Sequence, residues 1–154
     1  MIIFQNYIAI VGKKNDTEVE EKAGYYGEKI VLKAQELGLN TCWVALTHGK
    51  SMAEIEADEK QVIIIALGYG ENQGFPHESK DIRDVSNVTE NLPEWYARGI
   101  EAALLAPTAI NQQKFSFILK DDVVTAYPGK GANTKLDLGI VKYHFEVASN
   151  HKVQ

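Results

Sequence analysis

The run Val62-Ile-Ile-Ile-Ala-Leu67 leaves a folding chain few options. It is far too short to cross a bilayer as a helix, which takes about 20 apolar residues. Its β-branched side chains are stiff in a helix but pack well on a pleated surface. A strand that is apolar on both faces must be covered on both, so the pattern predicts a central strand over Gln61 to Leu67. With 154 residues, the chain suits a single domain, 1–154, built around that strand.

The flanking segments supply the rest. Ile2 to Val11 is rich in β-favouring residues and reads as a strand, followed by a polar turn, Gly12 to Asp16, that ends in a helix cap. From Glu18 to Leu37, Ala23, Ile30, Val31, Ala34 and Leu37 recur at helical spacing; Gly24 and Gly27 lower the propensity, and Gly38 is placed to stop the helix. Thr41 to Leu46 reads as a short strand, and Ser51 with Glu54 as a capping box for a brief helix up to about Ala57. Gly68 to Asn91 is a long polar loop, of a length more often functional than idle. Pro93 opens a helix that buries Trp95, Ile100, Ala103 and Leu104 and ends before Pro107. Phe115 to Leu119 and Val123 to Tyr127 flank Asp121-Asp122 as a hairpin. Thr134 with Asp137 marks a final helix whose Leu138, Val141, Phe145 and Ala148 face the core.

Composition excludes several classes. A net charge of -5 with dispersed basic residues argues against a nucleic-acid surface, which needs clustered Lys and Arg. The opening residues carry no signal-type pattern, and a lone cysteine, Cys42, rules out an intramolecular disulfide, so a reducing cytoplasm is the expectation. His48, His77, His144 and His151 lack zinc spacing, so no metal site is expected. Cys42 within an apolar strand reads as a small core residue, His144 as packed or hydrogen-bonded, and Glu18, Glu20, Glu21 and Lys22 as a solvated helix face.

Three stretches in order resemble the nitroreductase family, in particular its longer subfamily: Gly38-Leu-Asn-Thr-Cys-Trp43, Ala106-Pro-Thr-Ala-Ile-Asn-Gln-Gln113, and Asp137-Leu-Gly-Ile140 with His144-Phe-Glu146. The first is similar to Gly-Leu-Gly-Thr-Cys-Trp, with Asn40 for the second glycine; the second to Ala-Pro-Ser-Ala-x-Asn-x-Gln-Pro-Trp, with Lys114 and Phe115 at the last two positions. The third resembles a C-terminal packing helix. The resemblance covers about Ile8 to Ala148. It implies an α+β nitroreductase-like fold, a mixed or antiparallel sheet flanked by helices, shortened at the N-terminus because the family's Arg-Arg-Ser-x-Arg phosphate segment has no counterpart after Met1.

The resemblance further implies FMN as cofactor and NAD(P)H as reductant. Hydride would pass to the flavin and on to a small-molecule electron acceptor such as a nitroaromatic or quinone, with no protein residue nominated as catalytic. Thr41 would bring its backbone to the ring, Thr108, Asn111 and Gln113 would hydrogen-bond it, and Lys80 would pair with the phosphate, with Arg83 as a further cation. From the residues alone, Thr108, Asn111 and Gln113 read as helix-end and turn residues, and Lys80 as part of a solvated loop. A homodimer is expected, with no membrane or nucleic-acid partner. The rival reading is a member that keeps the fold as a binding module without catalysis.

Overall fold

The computed structural model describes residues 6–45 and 51–154. Ile2 to Gln5 of the expected first strand, and Leu46 and His48, lie outside them. Strand β1 (Asn6–Lys13), helix α1 (Val19–Glu36), β2 (Asn40–Val44) and β3 (Glu59–Gly68) come first. The sheet order is β1-β3-β2 with both pairings antiparallel, so the triple-isoleucine strand is central as its composition requires. Ile63 to Ala66 are all buried. Asn40 pairs with Gly68 and Val44 with Ile64, which fixes the face that Trp43 presents.

Helix α1 stops at Gly38, whose φ of 77° is the left-handed conformation glycine adopts without strain. Its N–H reaches Gln35 O and that of Leu39 reaches Ala34 O, the paired bonds of a Schellman ending. Ile30 and Leu37, expected in the buried stripe, are exposed, while Glu28 is buried. The glycines explain this rotation. A Cβ on Gly24 would stand 2.0 Å from Leu136 O, and one on Gly139 would stand 1.9 Å from Glu21 O. Both faces therefore serve a close crossing of α1 with α4 (Thr134–Ser149). Glu21, expected in solvent, instead pairs with Lys142 of α4 at 2.6 Å.

Between these elements lie the short α2 (Ile82–Val85), α3 (Glu94–Leu105) and the hairpin β4 (Phe115–Lys120) to β5 (Val123–Pro128). Asp121 and Asp122 both have positive φ, 51° and 60°, as the tight two-residue turn demands. Phe145 of α4 stacks on Phe117 and meets Tyr96 edge-on, so α3, α4 and the hairpin share one core.

Several expectations are corrected. Residues 51–58 form no helix: among the described residues Ser51 Oγ accepts from Ala53 N–H, at 3.4 Å, and Met52 and Ile55, the apolar pair at helical spacing, are exposed rather than packed. The loop from Gly68 to Asn91 is not undivided, since Asp81 caps α2 through Arg83 N–H and Ser86 bridges to Phe117. The Thr134–Asp137 capping box does not form: Asn133, with φ of 59°, precedes the helix and Asp137 turns elsewhere. Cys42 is exposed, because its side chain alternates to the face opposite Trp43.

Candidate functional site

After α3 the chain turns through Ala106 and Pro107 into a single turn, Ala109–Asn111. Ile110, Asn111 and Gln113 all have positive φ, 48°, 53° and 45°. A β-branched residue in that conformation is strained, and Ile110 is also 97% exposed, so no burial of its side chain offsets the cost. Neighbouring hydrogen bonds hold the turn. Asp137 Oδ1 accepts from Ala109 N–H at 3.0 Å and Asp137 Oδ2 from Gln112 Nε2 at 2.7 Å. Gln113 N–H donates to Thr108 Oγ1 at 3.0 Å.

Gln113, only 3% exposed, is the centre of the arrangement. Its Nε2 donates to Glu78 O at 2.8 Å and to Asn111 Oδ1 at 2.9 Å, and its Oε1 accepts from Lys80 N–H at 2.9 Å. Lys80 Nζ returns to Gln113 O at 2.9 Å, and Asn111 Nδ2 donates to Glu78 O at 2.9 Å. Lys80, Thr108, Asn111 and Gln113 thus meet in one cluster, although more than two dozen residues separate Lys80 from the others in the chain. Thr41 lies on β2, paired with Leu67 of β3. The loop bearing Lys80 is exposed but fastened: Ser79 Oγ donates to Leu104 O at 3.0 Å, and His77 Nε2 lies 3.2 Å from Leu105 O. Arg83 is engaged by Asp81 at 2.8 and 3.0 Å, and this guanidinium pulls the Asp81 carboxyl down to about 2.

Beside the cluster, Trp43, Ile63, Pro107, Thr108, Asp137 and Ile140 line a cleft of about 150 Å³. Complete small-molecule pockets run from roughly 300 Å³ upward, so the cleft has room for one edge of a large planar ligand and not for the whole of it. The donor set fits such a ligand. The Thr108 hydroxyl accepts from Gln113 and keeps its own hydrogen to donate, and an ammonium has three donors, of which Lys80 uses one on Gln113 O. The rear of Trp43 is fixed: its Nε1 donates to Glu28 Oε2 at 3.3 Å, and His144 Nε2 meets Glu28 Oε1 at 2.7 Å, the hydrogen-bonded role expected of His144.

Asp137 escaped the sequence reading because Thr134 three residues earlier mimics a cap. The signal that could have found it is a lone carboxylate inside Leu136-Asp-Leu-Gly-Ile-Val141. Burial pushes its carboxyl up, against hydrogen bonds from Ala109 and Gln112 that lower it. The folded state thus holds this proton more tightly than the unfolded chain. The associated stability is fully present below the ordinary aspartate range, roughly pH 4, and is lost as pH rises through the raised value. Measured by urea unfolding, the stability of the protein relative to Asp137→Asn, which cannot titrate, is expected to fall from about pH 4 towards 7. A difference that stays flat over that interval would show that Asp137 does not titrate differently on folding. Among the described residues no helix is long and apolar enough to cross a membrane, and no His, Cys, Asp and Glu cluster could hold a metal.

A family model described as Putative TM nitroreductase matches residues 1–149. The chain is also similar to the crystal structure of a putative nitroreductase from Thermotoga maritima, with 25% identity and a TM-score of 0.76. That similarity covers 95% of this chain and 61% of the other, so this chain spans less than two thirds of that protein's length. No curated protein matches.

Proposed function

Because the chain belongs to the Putative TM nitroreductase family, whose model spans residues 1–149, we propose that it is an FMN-dependent oxidoreductase that uses NAD(P)H to reduce nitroaromatic, quinone or related acceptors. The observation that carries this reading is the hydrogen-bonded cluster of Lys80, Thr108, Asn111 and Gln113, joined through Thr108 to the lining of an apolar cleft. Bound FMN would supply the hydride and electron transfer. The chain's own part is to bind and orient. Trp43, Pro107 and Ile140 exclude water from one ring edge, Thr108 and Asn111 offer hydrogen bonds at its polar rim, and Lys80 brings positive charge to the phosphate side. The homodimer belongs to the same proposal.

The test is an FMN titration followed by NAD(P)H oxidation in the presence of a nitroaromatic or quinone acceptor. Absence of flavin-dependent oxidation at every FMN concentration would retire the enzyme reading in favour of a non-catalytic binding module. Lys80 supplies a sharper check. Lys80→Ala removes a charge-assisted contact of about 1.5–3 kcal/mol, so FMN affinity is expected to fall about tenfold to a hundredfold. Riboflavin lacks the phosphate and should bind both forms within about twofold. Equal losses for the two flavins would place Lys80 away from the phosphate.

A further inference from the structure

Glu28 is 1% exposed, in the middle of the helix crossing between α1 and α4. A carboxylate there is costly unless its oxygens are hydrogen-bonded, and apolar side chains of similar volume commonly serve stability as well or better. Core packing alone therefore gives no reason for its presence. Its two oxygens go to different elements: Oε1 to His144 Nε2 on α4, and Oε2 to the indole N–H of Trp43 on β2. Trp43 is also a wall of the cleft. Its ring is seated against α1 where Gly27 leaves room; a Cβ there would stand 2.3 Å from Trp43 Cη2. The indole is thus held at its nitrogen by Glu28 and at its benzo edge by the bare helix backbone, while His144 holds Glu28 from the far side.

We infer that Glu28, backed by His144, is a positioning residue for the cleft that acts through Trp43, an inference that rests on the flavin reading above. It touches no ligand itself. It fixes the orientation of the indole and so the width of the slot that receives the planar ring.

The experiment uses the full chain with Trp95→Phe, which leaves Trp43 the sole indole of the two tryptophans in the sequence. Trp43 emission, its quenching by acrylamide, the melting temperature and FMN affinity are compared across variants. Glu28→Gln keeps an amide oxygen for the indole, so emission should be preserved and FMN affinity held within about twofold. Glu28→Leu combined with His144→Leu should melt at or above the parent temperature yet show altered emission, greater quenching and FMN binding weakened about tenfold. Unaltered emission and quenching, or undiminished FMN affinity, would overturn the role and leave Glu28 a core residue. Should the double variant fail to fold, Gly27→Ala decides. It keeps the Glu28–His144 pair and pushes the indole from the other side, so unchanged FMN affinity in that variant overturns the inference. If the parent binds no FMN, the proposed function fails, and indole emission and quenching in the double variant by themselves decide the positioning role.

Discussion

Gly139→Ala is expected to lower the melting temperature by roughly 6–12 °C, read by circular dichroism, through a loss of about 3 kcal/mol. Taken alone, helix propensity gives the opposite sign, since alanine is favoured over glycine in a helix interior by up to about 1 kcal/mol. Tertiary contact decides. The added methyl would lie 1.9 Å from Glu21 O and 2.6 Å from Tyr25 N, both backbone atoms that no rotamer change can move. Helices α1 and α4 would have to separate. That would strain the Glu21–Lys142 pair and the hydrogen bond from Tyr25 OH to Glu146 Oε2, which span the same crossing at 2.6 Å each. Gly24→Ala should act in the same direction, its methyl meeting Leu136 O at 2.0 Å. A melting temperature unchanged or raised in both variants would mean that the crossing is not as close as described.

Gln113→Ala should give the largest functional loss. Truncation leaves Lys80 N–H and Asn111 Oδ1 without their partners and deprives Glu78 O of one of its two amide donors. Each orphaned group costs about 1–3 kcal/mol where water cannot replace the bond, so the fold should lose about 2–3 kcal/mol after partial rehydration. The greater consequence is local. The left-handed backbone at Ile110 and Asn111 is strained and depends on these bonds, so the turn should relax and the Lys80 segment detach from it. On the proposed flavin reading, FMN affinity is expected to fall about a hundredfold or more, the product of a misplaced Lys80 and a misplaced Asn111. Amide exchange at Lys80 should accelerate independently of any flavin, because that N–H donates to the Gln113 side chain. Gln113→Glu should not rescue, since a carboxylate can accept from Lys80 N–H but cannot donate to Glu78 O or Asn111 Oδ1. Normal exchange at Lys80 in Gln113→Ala would reject the clamp.

Local chemistry was legible along the chain wherever one element decides its own conformation. The β-branched run announced β3 and its central place, Gly38 ended α1, and Asp121-Asp122 closed the hairpin, because strand burial, left-handed glycine and a two-residue turn are short-range constraints. The cluster residues Lys80, Thr108, Asn111 and Gln113 were nominated through family likeness, and what the sequence lacked was any sign that they hydrogen-bond to one another. Ser51 and Thr134 show the opposite case. Each carries a local cap pattern that the fold does not use, the first because Met52 and Ile55 stay exposed instead of packing on the core and the second because Asp137 serves the Ala109 turn. Glu21, read as a solvated charge, and Gly24, read as a weakness of its helix, were misjudged for one reason. Whether a carboxylate is a solvated charge or one side of an ion pair, and whether a glycine weakens a helix or permits a crossing, depends on the neighbour that packs against it. That neighbour is supplied by a helix more than a hundred residues away, and no property of the local sequence encodes the distance between two backbones that only the folded chain brings together.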